Sequence, residues 1–203
     1  MLMKLFGKYE LGGIEVRDLS LKSSLSFEEI NYRAHTFGRH AKKQHAKNKV
    51  NVVERLANKL MRGGTGEKTS GKVIRTHGRL QGKKQQVLKV VEKAFDIVAE
   101  KTGKNPVQVL VDGLENSAPR EEVTRVSYGG VSYQIAVDSS SSRRLDLALR
   151  NMTLAALMRA FKNPVSISES LADEIIYSAN NDVQNSFAIK KRDEAERMAR
   201  SAR

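Results

Sequence analysis

The stretch RGGTGEKTSGK, Arg62 to Lys72, carries four glycines, two lysines and, at Thr69 or Ser70, a hydroxyl where a magnesium ligand could sit. A nucleotide-binding P-loop needs glycine directly before its lysine, so that the backbone can wrap the β-phosphate. It also needs glycine five positions earlier and a buried strand leading in. Here Glu67 precedes Lys68, Arg62 stands five positions before Glu67, and a helical pattern leads in. A carboxylate at that point would repel a triphosphate. The stretch therefore reads as a flexible basic loop that meets phosphates by point charges, without one defined pocket.

HTFGRHAKKQHAKNK, His35 to Lys49, is the second candidate. His35, His40 and His45 invite a metal reading, but a five-residue step turns a helix by about 140°. Three rings so spaced cannot share a face, and neither cysteine nor carboxylate stands near to complete a coordination sphere. A solvated basic helix is the plain reading of such a charge run. Imidazoles and guanidinium groups interleaved with lysines also suit RNA, since they can stack on bases as well as pair with phosphates.

Nothing in the chain supports an enzyme. There is no G-x-S-x-G elbow, no cysteine at all, and no histidine outside the basic segment to serve as a base. Glu121 and Glu122 are adjacent, so on a strand they point to opposite faces. No cofactor or metal is called for.

The elements that must carry these residues are mostly helices. Val53, Leu56, Ala57 and Leu60 fall at i, i+3, i+4 and i+7, predicting a helix from about Val50 to Arg62, with Gly63 and Gly64 behind it. Val87, Val91, Phe95 and Val98 form the stripe of a helix over 84–102, closed by Gly103. Asn105 and Pro106 then open another, the side-chain acceptor at the cap and proline in the first turn. Further helices are predicted over 143–161, over 168–180 behind a Ser166/Glu169 capping box, and near the C-terminus. Ser26 and Glu29 have the same box spacing and predict a short helix in SFEEINYRA. Residues 1–25, with an alternating VRDLSLK, read as an extended N-terminal arm.

VTRVSYGGVSYQIAV interrupts the helices with apolar and polar residues alternating on both sides of Gly129 and Gly130. Two glycines supply the positive φ angles of a two-residue hairpin turn, which pairs Tyr128 with Val131 and Val126 with Tyr133. A lone two-stranded ribbon is marginal in water, so it must rest on the helices or on a partner. The predicted fold class is thus mainly α: one helical domain of about six helices over 26–203, with one β-hairpin over about 123–137 and the arm before it.

Charge is distributed unevenly. Of a net +13, all of it lies between Asn31 and Lys84, where fifteen lysines and arginines face only Glu54 and Glu67, and all four histidines share that segment. A surface charged for solubility would scatter its excess. Concentration into about a quarter of the chain is the footprint of a polyanionic partner: nucleic acid, an acidic membrane or an acidic protein. MLMKLF is too short an apolar run for a signal peptide, and no run approaches the roughly 20 residues of a spanning helix. The expected location is cytoplasmic, with no membrane partner.

HTFGRHAKKQ, VNVVERLANKLMRGG, KTGKNPVQVLVDGLENSAPRE, YGGVSYQIAVD, RRLDLALRN and AIKKRDEAERMARSAR occur in this order. In these blocks the chain, over roughly 26–203, resembles the small-subunit ribosomal proteins of the S-seven family in their archaeal and eukaryotic form. The resemblance implies a helical core with a protruding hairpin, bound to the 3′ major (head) domain of small-subunit ribosomal RNA (rRNA). It implies a protein that initiates head assembly among neighbouring head proteins and lies near exit-site tRNA and mRNA. DSSSSRR stands where the family usually has a valine and a proline, so Ser139 to Ser142 are expected to form a looser loop.

The site expected on this reading is an rRNA-binding surface. Arg39, His40, Lys42, Lys43, Lys47, Lys49, Lys68, Lys72, Arg75, Arg79, Lys83 and Lys84 are the candidates for backbone phosphates, with His35 and Phe37 as stackers. Arg143 and Arg144 sit at a helix start, where two positive charges oppose the helix dipole, so a nearby phosphate would account for them. The hairpin tip, Tyr128, Gly129, Gly130 and Val131, is expected beside tRNA or mRNA. A basic helix-turn-helix DNA-binding regulator is the competing reading.

Overall fold

A computed structural model describes residues 4–28, 30–33, 38, 40, 42–63, 65–69, 72–76 and 78–203, with 65–69, 72, 73 and 75 described by their backbone. Among the described residues, six long helices make the body. α2 (Val52–Arg62) starts at Asn51, whose side chain accepts from the Val53 amide, and its Val53, Leu56, Ala57 and Leu60 face is fully buried. It follows a one-turn α1 (Leu19–Lys22). α3 (Lys84–Thr102) buries Val87, Val91, Phe95 and Val98 and ends where Gly103 turns left-handed at φ 65°. α4 (Pro106–Ser117) opens with Asn105 accepting from the Val107 amide.

α5 (Ser141–Ala160), α6 (Ile167–Ala179) and α7 (Phe187–Ser201) complete the set. The Ser166/Glu169 box closes both of its reciprocal hydrogen bonds. α6 packs against α3, α4 and α5, α2 lies across α3 and α5, and α7 covers α5 and the base of the hairpin. Leu110, Leu114, Leu145, Leu149, Met152, Leu171 and Ile175 fill the space between them. No helix among the described residues is long and apolar enough to cross a membrane.

The predicted hairpin forms from β5 (Glu121–Tyr128) and β6 (Val131–Asp138), with Tyr128 opposite Val131 and Val126 opposite Tyr133. Gly129 and Gly130 hold φ of 58° and 82°, as a two-residue turn of this hand requires. Two further antiparallel pairs were not predicted: β1 (Lys4–Leu5) with β2 (Tyr9–Glu10), and β3 (Thr65–Thr69) with β4 (Lys72–Arg75). The described residues of the glycine-rich stretch beyond Gly63 thus lie in a paired ribbon where a flexible loop was expected.

The N-terminal arm packs onto the body: Leu5, Leu11, Leu21 and Leu25 enter the common core, and Phe6 and Tyr9 meet Phe95 edge-on. Its VRDLSLK runs into α1, where the Asp18 side chain accepts from the Ser20 amide and caps the helix. Two other expectations are corrected. No described residue of 26–34 is helical: the Ser26 hydroxyl accepts from the Glu28 amide and the Ser26 carbonyl from Val52. Ser139 to Ser142 are not loose either. Ser139 donates its amide to the Arg120 carbonyl, Ser140 stands at the N-cap position of α5 with its carbonyl accepting from the Arg144 amide, and Ser141 and Ser142 already lie in the first turn.

Candidate nucleic-acid interface

The basic segment divides into cations that face water and cations that the fold takes for itself. His40, Lys42, Lys43, Lys47 and Lys49 are exposed ahead of α2, and Arg79 and Lys83 are exposed ahead of α3. Lys47 and Lys49 ride on a short 3-10 turn (Ala46–Lys49), entered through His45 at φ 58°. Among the described residues of this run there is no α-helix. Lys68, Lys72 and Arg75 belong to the β3–β4 ribbon, in which Lys68 stands opposite Val73, Thr69 opposite Lys72 and Thr65 opposite Arg75. His35, Phe37 and Arg39 lie outside the described residues.

Asp146 on α5 ties this surface to the helical body. Its carboxylate binds Lys47 and lies 3.2 Å from Arg55 and 3.7 Å from Lys59. Burial pushes this carboxyl up, but the Lys47 hydrogen bond and the three cations outweigh it and hold the group below the usual aspartate range. Arg55 is itself buried and donates to the Ser24 carbonyl. One carboxylate thus anchors α2 and the 3-10 turn, leaving Lys42, Lys43 and Lys49 outward.

Two of the expected phosphate contacts are internal. Lys84 is only 2% exposed, donating to Glu54 and to the Asn31 carbonyl at 2.6 Å each. Arg144 is 6% exposed and is consumed by the Pro119 carbonyl, Asp18 and the Ser20 hydroxyl. Neither can reach a phosphate. Arg143 stays exposed but forms a two-pronged pair with Glu122 at 2.6 and 2.9 Å, which raises its affinity for its proton. Glu122 and Asp18 therefore balance the two arginines at the start of α5, and no phosphate is needed to account for them.

The hairpin projects with its tip in solvent, Tyr128 being 82% exposed and Val131 53%. Register places Val126, Tyr128, Val131, Tyr133, Ile135 and Val137 on one face, all exposed. Its base is clamped: Glu122 pairs with Arg143 and Glu121 with Arg203 at the end of α7, so the adjacent glutamates do point opposite ways. Sequence patterns missed a cavity of about 410 Å³ between β4 and the α5–α6 connection, where Thr76, Arg79, Phe161 and Lys162 meet. Its walls come from separate stretches, and no periodicity marks them.

The sequence model of the family described as "Ribosomal protein S7p/S5e" matches residues 30–203. The chain belongs to this family. It is 49% identical to the small ribosomal subunit protein uS7 of Methanococcus maripaludis strain C7, over the full length of both. The uS7 of Methanococcus vannielii is 49% identical over 99% of this chain and 96% of its own. That of Methanosphaera stadtmanae is 46% identical over the full length of both. Membership gives the chain a structural, non-enzymatic role in the small ribosomal subunit.

Proposed function

We propose that this chain binds the 3′ major domain of small-subunit rRNA, initiates assembly of the subunit head, and holds its hairpin near exit-site tRNA and mRNA. The supporting observation is the sorting of charge. All of the excess positive charge lies within 31–84, and of its described side chains Lys84 and Arg55 are turned inward onto carboxylates while His40, Lys42, Lys43, Lys49, Arg79 and Lys83 are exposed. A surface so built neutralises backbone phosphates and positions the protein on RNA. The hairpin has no charge at its tip, so it serves placement and the basic segment serves affinity.

The test is partition between RNA domains. The protein is mixed with transcribed 3′ major and 5′ domains of small-subunit rRNA in equal amounts and resolved by native gel. Preferential shift of the 3′ major domain is expected, and its prior binding should speed uptake of other head proteins. Equal binding to both domains, or preference for duplex DNA, would sink the proposal and favour a DNA regulator.

A further inference from the structure

The cavity behind β4 combines three features that no internal role explains. Its floor is apolar, built from Ile74, Leu80 and Leu157, all buried. The Phe161 ring forms part of the wall and is only half-buried. At about 410 Å³ the cavity falls within the range of small-molecule sites, with room for a flat heteroaromatic ring and its sugar.

Polar groups sit where such a ligand would need them. Thr76 lines the cavity, and its hydroxyl is shut from solvent with no hydrogen-bond partner among the described residues. A buried hydroxyl without a partner is costly, and a turn about χ1 presents it to a ligand edge that can donate or accept. Arg79 and Lys162 are exposed lining residues, and neither has a carboxylate partner among the described residues. Lys162 holds φ 59°, in the left-handed region uncommon for a side-chain-bearing residue, and its ammonium lies 5.6 Å from the centre of the Phe161 ring.

An apolar slot with an aromatic wall, a buried hydroxyl and two cations, neither hydroxyl nor cation meeting a hydrogen-bonding or carboxylate partner among the described residues, fits a ligand that is aromatic at one end and anionic at the other. We infer that the cavity takes one unstacked nucleobase of the small-subunit rRNA, stacked on Phe161 and bonded to the Thr76 hydroxyl. Arg79 and Lys162 then meet the two flanking phosphates. Single-stranded RNA is recognised in this way, by bases splayed onto aromatic rings. The inference rests on the rRNA-binding reading and adds a site to it.

Ultraviolet crosslinking of the full chain to the transcribed 3′ major domain, followed by mass spectrometry, should place a nucleotide adduct on Phe161. Ala160→Phe, which fills the cavity from its wall and so displaces the base with its flanking phosphates, should weaken rRNA binding about tenfold and lower the salt slope. Arg79→Gln and Lys162→Gln should each lower the salt slope by about one. Adducts elsewhere with none at 157–162, or Ala160→Phe binding as tightly as the parent, would overturn the site while leaving rRNA binding intact. Failure of the parent to bind any rRNA would overturn both. Should Ala160→Phe not fold, crosslinking of the parent decides alone.

Discussion

The Lys84 ammonium lies 2.6 Å from a Glu54 carboxylate oxygen, with both side chains almost wholly buried. This pair joins the start of α3 to α2, and a further bond from Lys84 to the Asn31 carbonyl brings in the chain ahead of the basic run. Removing one partner leaves a buried charge uncompensated, so Glu54→Gln and Lys84→Met should each cost about 3–5 kcal/mol in denaturant unfolding. The double change Glu54→Leu with Lys84→Met should recover most of that loss. Equal stability of the single variants and the parent would mean the pair is hydrated in solution.

Glu174 lies inside the junction of α6 and α7, where Oε1 accepts from the Ser186 hydroxyl and the Ala188 amide. Burial pushes its carboxyl above the usual glutamate range despite these bonds and the nearby Arg159. A carboxyl whose folded value exceeds its unfolded value, about 4.3, binds more protons in the folded state across that window. Its contribution to stability is therefore full when the group is protonated and is lost as pH rises through the window. Relative to Glu174→Gln, the parent should gain stability as pH falls toward 4. A difference that stays flat with pH would refute the buried-charge assignment.

Gly63 has ordinary backbone angles, and its glycine requirement is steric. A Cβ there would collide with Leu157 Cδ1 on α5. Gly63→Ala should destabilise by about 1–3 kcal/mol by forcing that side chain aside. In a Leu157→Ala background the same change should cost little, a coupling that a double-mutant cycle reads directly.

The hairpin is expected to be separable from rRNA affinity. Cutting Ser127 to Ser132 and closing with a new glycine turn removes the exposed tip but spares the Glu122–Arg143 and Glu121–Arg203 clamps. Helical circular dichroism should persist and rRNA affinity stay within a few-fold, while exit-site tRNA retention changes in reconstituted subunits. Loss of most rRNA affinity with intact helices would make the ribbon the anchor.

Helix ends were legible because their signals are local. Asn105 with Pro106 and Ser166 with Glu169 act within three residues, and the structure closes each cap. The hairpin register followed from Gly129 and Gly130 for the same reason. Ser26 has an equally good box spacing, yet its carbonyl is taken by Val52, so tertiary pairing overrode a local signal. Which lysines and arginines face water was not legible at all. Lys84 finds Glu54 thirty positions away and Arg144 finds Asp18 at 126, and a count of charges along the chain cannot register either partner.

The central claim is that exposed cations of the 31–84 segment, and not its buried ones, carry affinity for rRNA. Binding of the full chain to the 3′ major domain should be titrated against salt. Each neutralised phosphate contributes about −0.7 to −0.9 to the slope of log affinity on log salt. Replacing Lys42, Lys43 and Lys49 together by glutamine should flatten the slope by about two to three. The folded Glu54→Leu, Lys84→Met double variant should keep the parent's slope. A parent slope near zero, or an unchanged slope in the triple variant, would contradict the account.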